Sequence, residues 1–167
     1  MEFKEETTYY TSPFGVFEIK GSERGISQCQ LKPDMAAPRT TTPTSEVLKE
    51  CVYQLDDYFH RRRKDFDLPL DWGDASDFYK NVWRELQFIP YGQTKSYLYI
   101  AHKLGDPNAV RAVGQANGRN PIAIIVPCHR VIAKNGDLQG YFYGLDMKRK
   151  LLELENPMSY GEQTSLF

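Results

Sequence analysis

The chain has 167 residues, 41% of them apolar, and 21 Lys and Arg against 22 Asp and Glu leave a net charge of −1. That is ordinary for a globular protein of one domain or two small ones. Three cysteines without CxxC spacing give neither a disulfide framework nor a structural zinc signature, and no stretch approaches the ~18 apolar residues of a membrane span, so a soluble cytoplasmic protein with no membrane partner is expected.

Taken in chain order, the first part reads as an α+β domain. Thr8–Thr11 is a strand, Ser12-Pro13-Phe14-Gly15 a turn, and Val16–Lys20 alternates apolar and polar residues. Gly21–Gly25 turns the chain again and Ile26–Leu31 returns it, which predicts a meander. Residues 32–44, with Pro33, Pro38 and Pro43, form a surface loop. Val47, Cys51, Leu55 and Tyr58 share one face of a helix over 46–60. The run Arg61-Arg62-Arg63-Lys64 that follows is read as a solvated helix end, where cations complement the dipole, in preference to a nucleic-acid patch. Phe66–Trp72 is strand-like, and Gly73-Asp74 marks a domain boundary, giving domains 1–74 and 75–167.

The second half changes character. Ser76 or Asp77 caps a helix with Phe78, Val82, Trp83 and Leu86 on its apolar face, broken by Ile89-Pro90-Tyr91-Gly92. A second helix runs from Ser96 to Leu104, Gly105 closes it, and Asp106 caps a third from Pro107 to about Gln115. The last two form a helix-turn-helix candidate. The third helix carries Ala109, Ala112, Gly114 and Ala116 around Arg111, small residues that let a backbone lie close to another surface. Close packing in a core is the bland alternative. Charge favours a polyanion: residues 1–83 carry a balance of −4, residues 84–150 one of +6, and the last seventeen −3. Few bulky polar side chains argue against reading base sequence in a major groove, so binding along the backbone or minor groove without strong sequence preference fits better.

The most informative residues are Pro127-Cys128-His129-Arg130. They follow Ile122–Val126, which reads as a buried strand, and precede Val131-Ile132-Ala133. Proline ends the strand and leaves the cysteine on a turn. A thiol beside an imidazole there is a candidate activated nucleophile, although a small buried thiol is the commoner meaning of a lone Cys-His pair.

With Ile89-Pro90-Tyr91-Gly92, Ala112-Val113-Gly114 and Gly118-Arg119-Asn120-Pro121 upstream, Pro127-Cys128-His129-Arg130-Val131-Ile132 resembles the O6-alkylguanine-DNA alkyltransferase family, the methylated-DNA–protein-cysteine methyltransferases. The resemblance runs continuously over residues 76–155; before that it is one of general organisation. It implies a small N-terminal ribonuclease-H-like sheet-plus-helix domain and a C-terminal winged-helix-like domain holding the cysteine. It further implies transfer of a methyl group from O6-methylguanine, less readily from O4-methylthymine, in double-stranded DNA bound from the minor groove; a monomer is expected, and no metal or cofactor is evident near Cys128 in the sequence.

By that resemblance Cys128 is the nucleophile, His129 takes its proton through a water, Glu155 orients the histidine, and Asn120 braces the cysteine turn. Tyr97 packs at the DNA backbone and assists nucleotide rotation, and Arg111 fills the space of the extruded nucleotide, with Ala112 and Gly114 beside it. Lys134 contacts phosphate or faces solvent. Tyr141, Phe142, Tyr143 and Val131 line the base pocket, where the bulk of Phe142 and Tyr143 implies a preference for methyl over large adducts. Asn156 stands where the family often has glycine. A thioether offers no carbonyl for water to attack, so each molecule should act once. Three rivals stay open: a lesion-binding module that performs no transfer, a cysteine hydrolase or acyltransferase, and a transcription factor with an incidental thiol.

Overall fold

The computed structural model describes residues 4–36, 38, 42–133 and 144–160. The chain folds as two compact units, one of Met1–Asp74 with Pro121–Ile125, the other of Ala75–Asn120 with Val126–Phe167. No helix among the described residues is long and apolar enough to cross a membrane.

In the first unit, β1 (Glu6–Ser12), β2 (Gly15–Ser22) and β3 (Gly25–Lys32) form an antiparallel sheet in the order β1-β2-β3, the meander expected from the alternation. Gly15 and Gly25 open β2 and β3 at φ of 127° and 146°, a region that excludes most side chains. The helix α1 (Glu46–Phe59) buries Leu48, Cys51, Leu55, Tyr58 and Phe59, while the sheet buries Tyr10, Phe17, Ile19, Ile26, Cys29 and Leu31. Each such side chain contributes on the order of 1.5–3 kcal/mol on leaving water. Phe59 joins the two layers, its ring 5.9 Å from Tyr10, 5.4 Å from Phe14 and 5.9 Å from Phe17. The basic run beyond α1 is a helix end: Arg62 pairs with Asp56 and Asp57, and Arg63 with Asp57.

Two expected strands do not form. Within Phe66–Trp72 the pairing is a single parallel bridge, Ile26 to Leu70, held by Ile26 N–H on the Pro69 carbonyl and Asp71 N–H on the Ile26 carbonyl. Pro69 has no N–H with which to extend a ladder. The apolar run Ile122–Val126 is buried throughout, as expected, yet it forms isolated bridge residues in place of a strand, among them a parallel bridge between Cys29 and Ile122. There the Cys29 N–H donates to the Pro121 carbonyl and the Ala123 N–H donates to the Cys29 carbonyl, each at 2.9 Å. The chain then turns at Ile124, whose φ of 71° takes it out of the extended region.

In the second unit α2 (Asp77–Leu86) starts at Ser76, whose hydroxyl accepts the Tyr79 N–H, and buries Val82, Trp83 and Leu86. The Trp83 indole N–H donates to the Ala116 carbonyl at 2.9 Å, tying α2 to α4 (Val110–Gly118). Between them, α3 (Tyr97–Lys103) is capped by Ser96 and ends at Gly105, φ 84°. The third helix begins differently from expectation: Pro107–Ala109 is a 3₁₀ turn capped by Asp106, and the α-helix runs on to Gly118. Two features had no counterpart in the sequence reading. β4 (Lys95–Ser96) and β5 (Val131–Ile132) pair in parallel, Lys95 opposite Val131 and Ser96 opposite Ile132. α5 (Leu145–Glu155) and the short α6 (Pro157–Tyr160) close the described chain.

Candidate active site and nucleic-acid interface

Cys128 opens a single 3₁₀ turn, Cys128–Arg130, and all three residues are buried. Two amides from the end of α4 and its exit hold this turn. Asn117 Nδ2 donates to the Cys128 carbonyl at 3.3 Å. Asn120 Nδ2 donates to the Val126 carbonyl at 2.8 Å and lies 3.1 Å from the Cys128 sulfur.

His129 is fully buried, and its Nε2 stands 2.7 Å from Glu155 Oε2 at the end of α5. A carboxylate accepts, so the ring proton sits on Nε2 and Nδ1 keeps its lone pair. Nδ1 is itself buried and has no hydrogen-bond partner among the described residues. Glu155 also accepts from Arg130, Nε to Oε1 at 2.9 Å and Nη2 to Oε2 at 3.0 Å. Arg130 Nη1 donates to the Ile89 carbonyl at 2.7 Å, and the guanidinium lies 5.7 Å from the Tyr91 ring centre.

These contacts set the protonation states. Burial alone would raise the Glu155 carboxyl, but His129 and Arg130 outweigh it and hold the group well below the usual carboxylate range. Burial lowers His129 below its ordinary value, with Glu155 working the other way. Arg130 is always charged and bidentate on Glu155, so the stable assignment is an ionised Glu155 beside a neutral His129.

Tyr97, at the start of α3, feels the Cys128 charge; burial first and that charge second raise its phenol above the ordinary value, so it keeps its proton. A Cβ placed on Gly114, the first glycine of α4, would lie 3.9 Å from the Tyr97 ring, so α3 packs beside it at ordinary contact distance. Arg111 and Ala112 are exposed on α4, as is Gln115, and Arg119 is exposed just past its end. Val131 is fully buried in β5. Lys134, Tyr141, Phe142 and Tyr143 lie outside the described residues.

Three participants were not singled out from sequence. Arg130 stood within the quoted motif without a role. Asn117 sits one turn before the motif's Asn120. Lys148 is fully buried on α5 and donates to the Val131 carbonyl at 2.5 Å; burial pushes it down to about 8, against the pull of Cys128. Its position on one face with Leu151, Leu152 and Glu155 was the available signal. Asn156 ends α5 at φ −147°, so no glycine is required there, and its amide donates to the Gly92 carbonyl at 2.9 Å. Among the described residues no three His, Cys, Asp or Glu side chains gather as a metal site. A cavity of about 340 Å³ lined by Glu85, Phe88, Ile89, Lys95, Tyr99 and Lys103 includes none of the Cys128 group.

A thiol next to a base whose proton is fixed on the far nitrogen can be deprotonated and act as a nucleophile. Comparison with known proteins points the same way. Residues 7–72 match the ribonuclease-like domain of 6-O-methylguanine DNA methyltransferase, and residues 77–157 match its DNA binding domain. A methylated-DNA–protein-cysteine methyltransferase of Methanosarcina acetivorans is 45% identical over 149 residues, 87% of this chain and 95% of its own length. Its counterpart in Mycolicibacterium paratuberculosis is 45% identical over 155 residues, 92% and 93% of the two chains. The O6-methylguanine methyltransferase of Mycobacterium tuberculosis superposes with a TM-score of 0.81 at 39% identity, covering 98% of this chain and all of the other. The Mycobacterium tuberculosis OGT solved in complex with DNA gives 0.79 at 43% identity, over 89% and 91%.

Proposed function

The chain belongs to the methylated-DNA–protein-cysteine methyltransferase family, and on that premise we propose that it repairs DNA by taking the methyl group of O6-methylguanine, less readily that of O4-methylthymine, onto Cys128. The observation that carries the assignment is the Cys128 turn: a thiol 3.1 Å from the Asn120 amide, followed by a histidine whose outer nitrogen is locked to Glu155 at 2.7 Å.

The mechanism follows from those atoms. His129 Nδ1 takes the thiol proton, relayed by a water because neighbouring side chains on a turn do not face each other. Glu155 holds the imidazole in the right tautomer and offsets the charge that develops, and Arg130 keeps Glu155 ionised and in place. The amide of Asn120 favours negative charge on sulfur. The thiolate then attacks the methyl carbon in line: the S–C bond forms, the C–O6 bond breaks, and the purine leaves with the electron pair. Tyr97, which retains its phenolic proton, stands ready to supply one to the departing base. The thioether cannot be hydrolysed under these conditions, so the protein is consumed stoichiometrically.

Reaching a stacked base requires extrusion. The exposed face of α4, where Arg111 and Ala112 lie beside the small Gly114, supports binding on the minor-groove side, with Arg111 occupying the vacated space. Backbone and shape contacts of this kind read little sequence. The reading includes a single chain as the working form. Three unbridged thiols suit the reducing cytoplasm.

Peptide mapping after incubation with O6-methylguanine DNA tests the assignment. Methylation of the Cys128 peptide, absent in Cys128→Ala, is expected. DNA binding with that peptide unmodified would make the chain a lesion-binding module instead.

A further inference from the structure

Two three-residue turns follow one another immediately before the thiol. In the second, the Cys128 N–H donates to the Val126 carbonyl at 2.8 Å around Pro127, at φ −82° and ψ 64°. This is an inverse γ-turn, a low-energy shape that the proline ring pre-sets. In the first, the Ile125 N–H donates to the Ala123 carbonyl at 2.8 Å around Ile124, at φ 71°. A γ-turn of that sign is rare and strained, and a β-branched residue is a genuine outlier there. Glycine would take the same shape without the Cβ penalty, yet the position holds an isoleucine that is 1% exposed.

Such strain persists only where the surroundings over-determine it, and here they are identifiable. Upstream, the main chain of Cys29 grips the Pro121 carbonyl and the Ala123 N–H, both at 2.9 Å. Around it, Ile122 and Ala123 are fully buried with Ile124. Downstream, the direction in which the chain leaves Ile124 decides where the Val126 carbonyl points. That carbonyl accepts both the Cys128 N–H and the Asn120 amide, the same amide that reaches the sulfur.

We propose that Ile124 is a positioning residue for methyl transfer: its buried, branched side chain locks a left-handed turn into one shape and so delivers the Val126 carbonyl and the Cys128 thiol to Asn120. Glycine would ease the strain and lose the lock. The inference rests on the methyl-transfer reading of Cys128.

Ile124→Gly and Ile124→Ala separate backbone freedom from lost volume, since both empty nearly the same space and only alanine keeps the Cβ. Thermal unfolding, DNA affinity and the single-turnover methyl-transfer rate at saturating DNA are measured for each. Expected is a crossing: the glycine protein melts higher than the alanine protein, binds DNA equally well, and transfers methyl at least fivefold more slowly. Ile124→Val keeps the branch, so its rate stays within twofold of the unmodified sequence although it melts lower. A glycine protein that matches or beats alanine in both stability and rate overturns the proposal. So does a valine protein whose rate falls in step with its stability, and this arm decides alone if the smaller variants do not fold. Failure of the unmodified chain to accept methyl would instead overturn the methyl-transfer reading, and this assignment with it.

Discussion

Nε2 of His129 and Oε2 of Glu155 stand 2.7 Å apart with neither side chain open to solvent, and the same carboxylate carries both bonds from Arg130. One group therefore serves two neighbours, fixing the tautomer of the base and neutralising a buried guanidinium. Replacing it separates those roles poorly but visibly. Glu155→Gln should lower stability by about 3–5 kcal/mol, because it leaves Arg130 buried without its counter-charge. It should also slow methyl transfer by well over tenfold. Denaturant unfolding and single-turnover rates check this, and a variant as stable as the parent would show that the buried pair holds nothing.

The pH profile follows from the direction of the His129 shift. Burial disfavours the imidazolium, so His129 titrates below its ordinary value of 6.5. The base form then persists as pH falls through 6.5, and is lost only at more acidic pH. The single-turnover rate at saturating DNA should show no inflection at 6.5 and decline below it. A half-fall at or above 6.5 would mean that the imidazole is not the buried, neutral base described.

Lys148 gives a stability signature of known sign. Burial brings its folded value down to about 8 from an ordinary 10.5. Between those limits the unfolded chain binds more protons than the folded one, so this residue makes stability rise with pH from 8 towards 10.5 and withdraws it as pH falls through 8. Comparing melting temperatures of the parent and Lys148→Met across pH 7.5–10 isolates the effect. The gap between them should widen in favour of the parent as pH rises; a constant gap would contradict the burial of the ammonium.

Gly114 and Arg111 test the α4 surface separately. A Cβ at Gly114 would make an ordinary 3.9 Å contact with Tyr97. Gly114→Ala should therefore gain about 0.5–1 kcal/mol from helix propensity. Arg111 is exposed, so Arg111→Ala should leave the melting temperature unchanged while weakening affinity for lesion-bearing duplex by about tenfold. Fluorescence anisotropy and thermal melts report the two quantities, and an Arg111→Ala protein with full affinity would remove α4 from the interface.

How much of this could be read in the sequence depended on the range of the interaction. Ser76, Ser96 and Asp106 announced their helix starts because capping is local. The thiol, its histidine and the asparagine lie within nine residues of one another, so the motif carried them. Ile122–Val126 was misread because hydrophobicity reports burial and says nothing of the sign of φ at Ile124. The parallel pairing of Lys95 with Val131 joins residues far apart in the chain through two-residue strands too short to leave a pattern. Arg130 and Lys148 look like surface cations by type; only the fold puts their charges inside.

The most direct test is the intact mass of the protein before and after incubation with an equimolar oligonucleotide duplex bearing one O6-methylguanine. The account predicts a shift of one methyl group per protein molecule, no further gain with excess DNA, and no shift for Cys128→Ala. An unchanged mass after the lesion has been bound, or lesion loss from many duplexes per protein molecule, would contradict it.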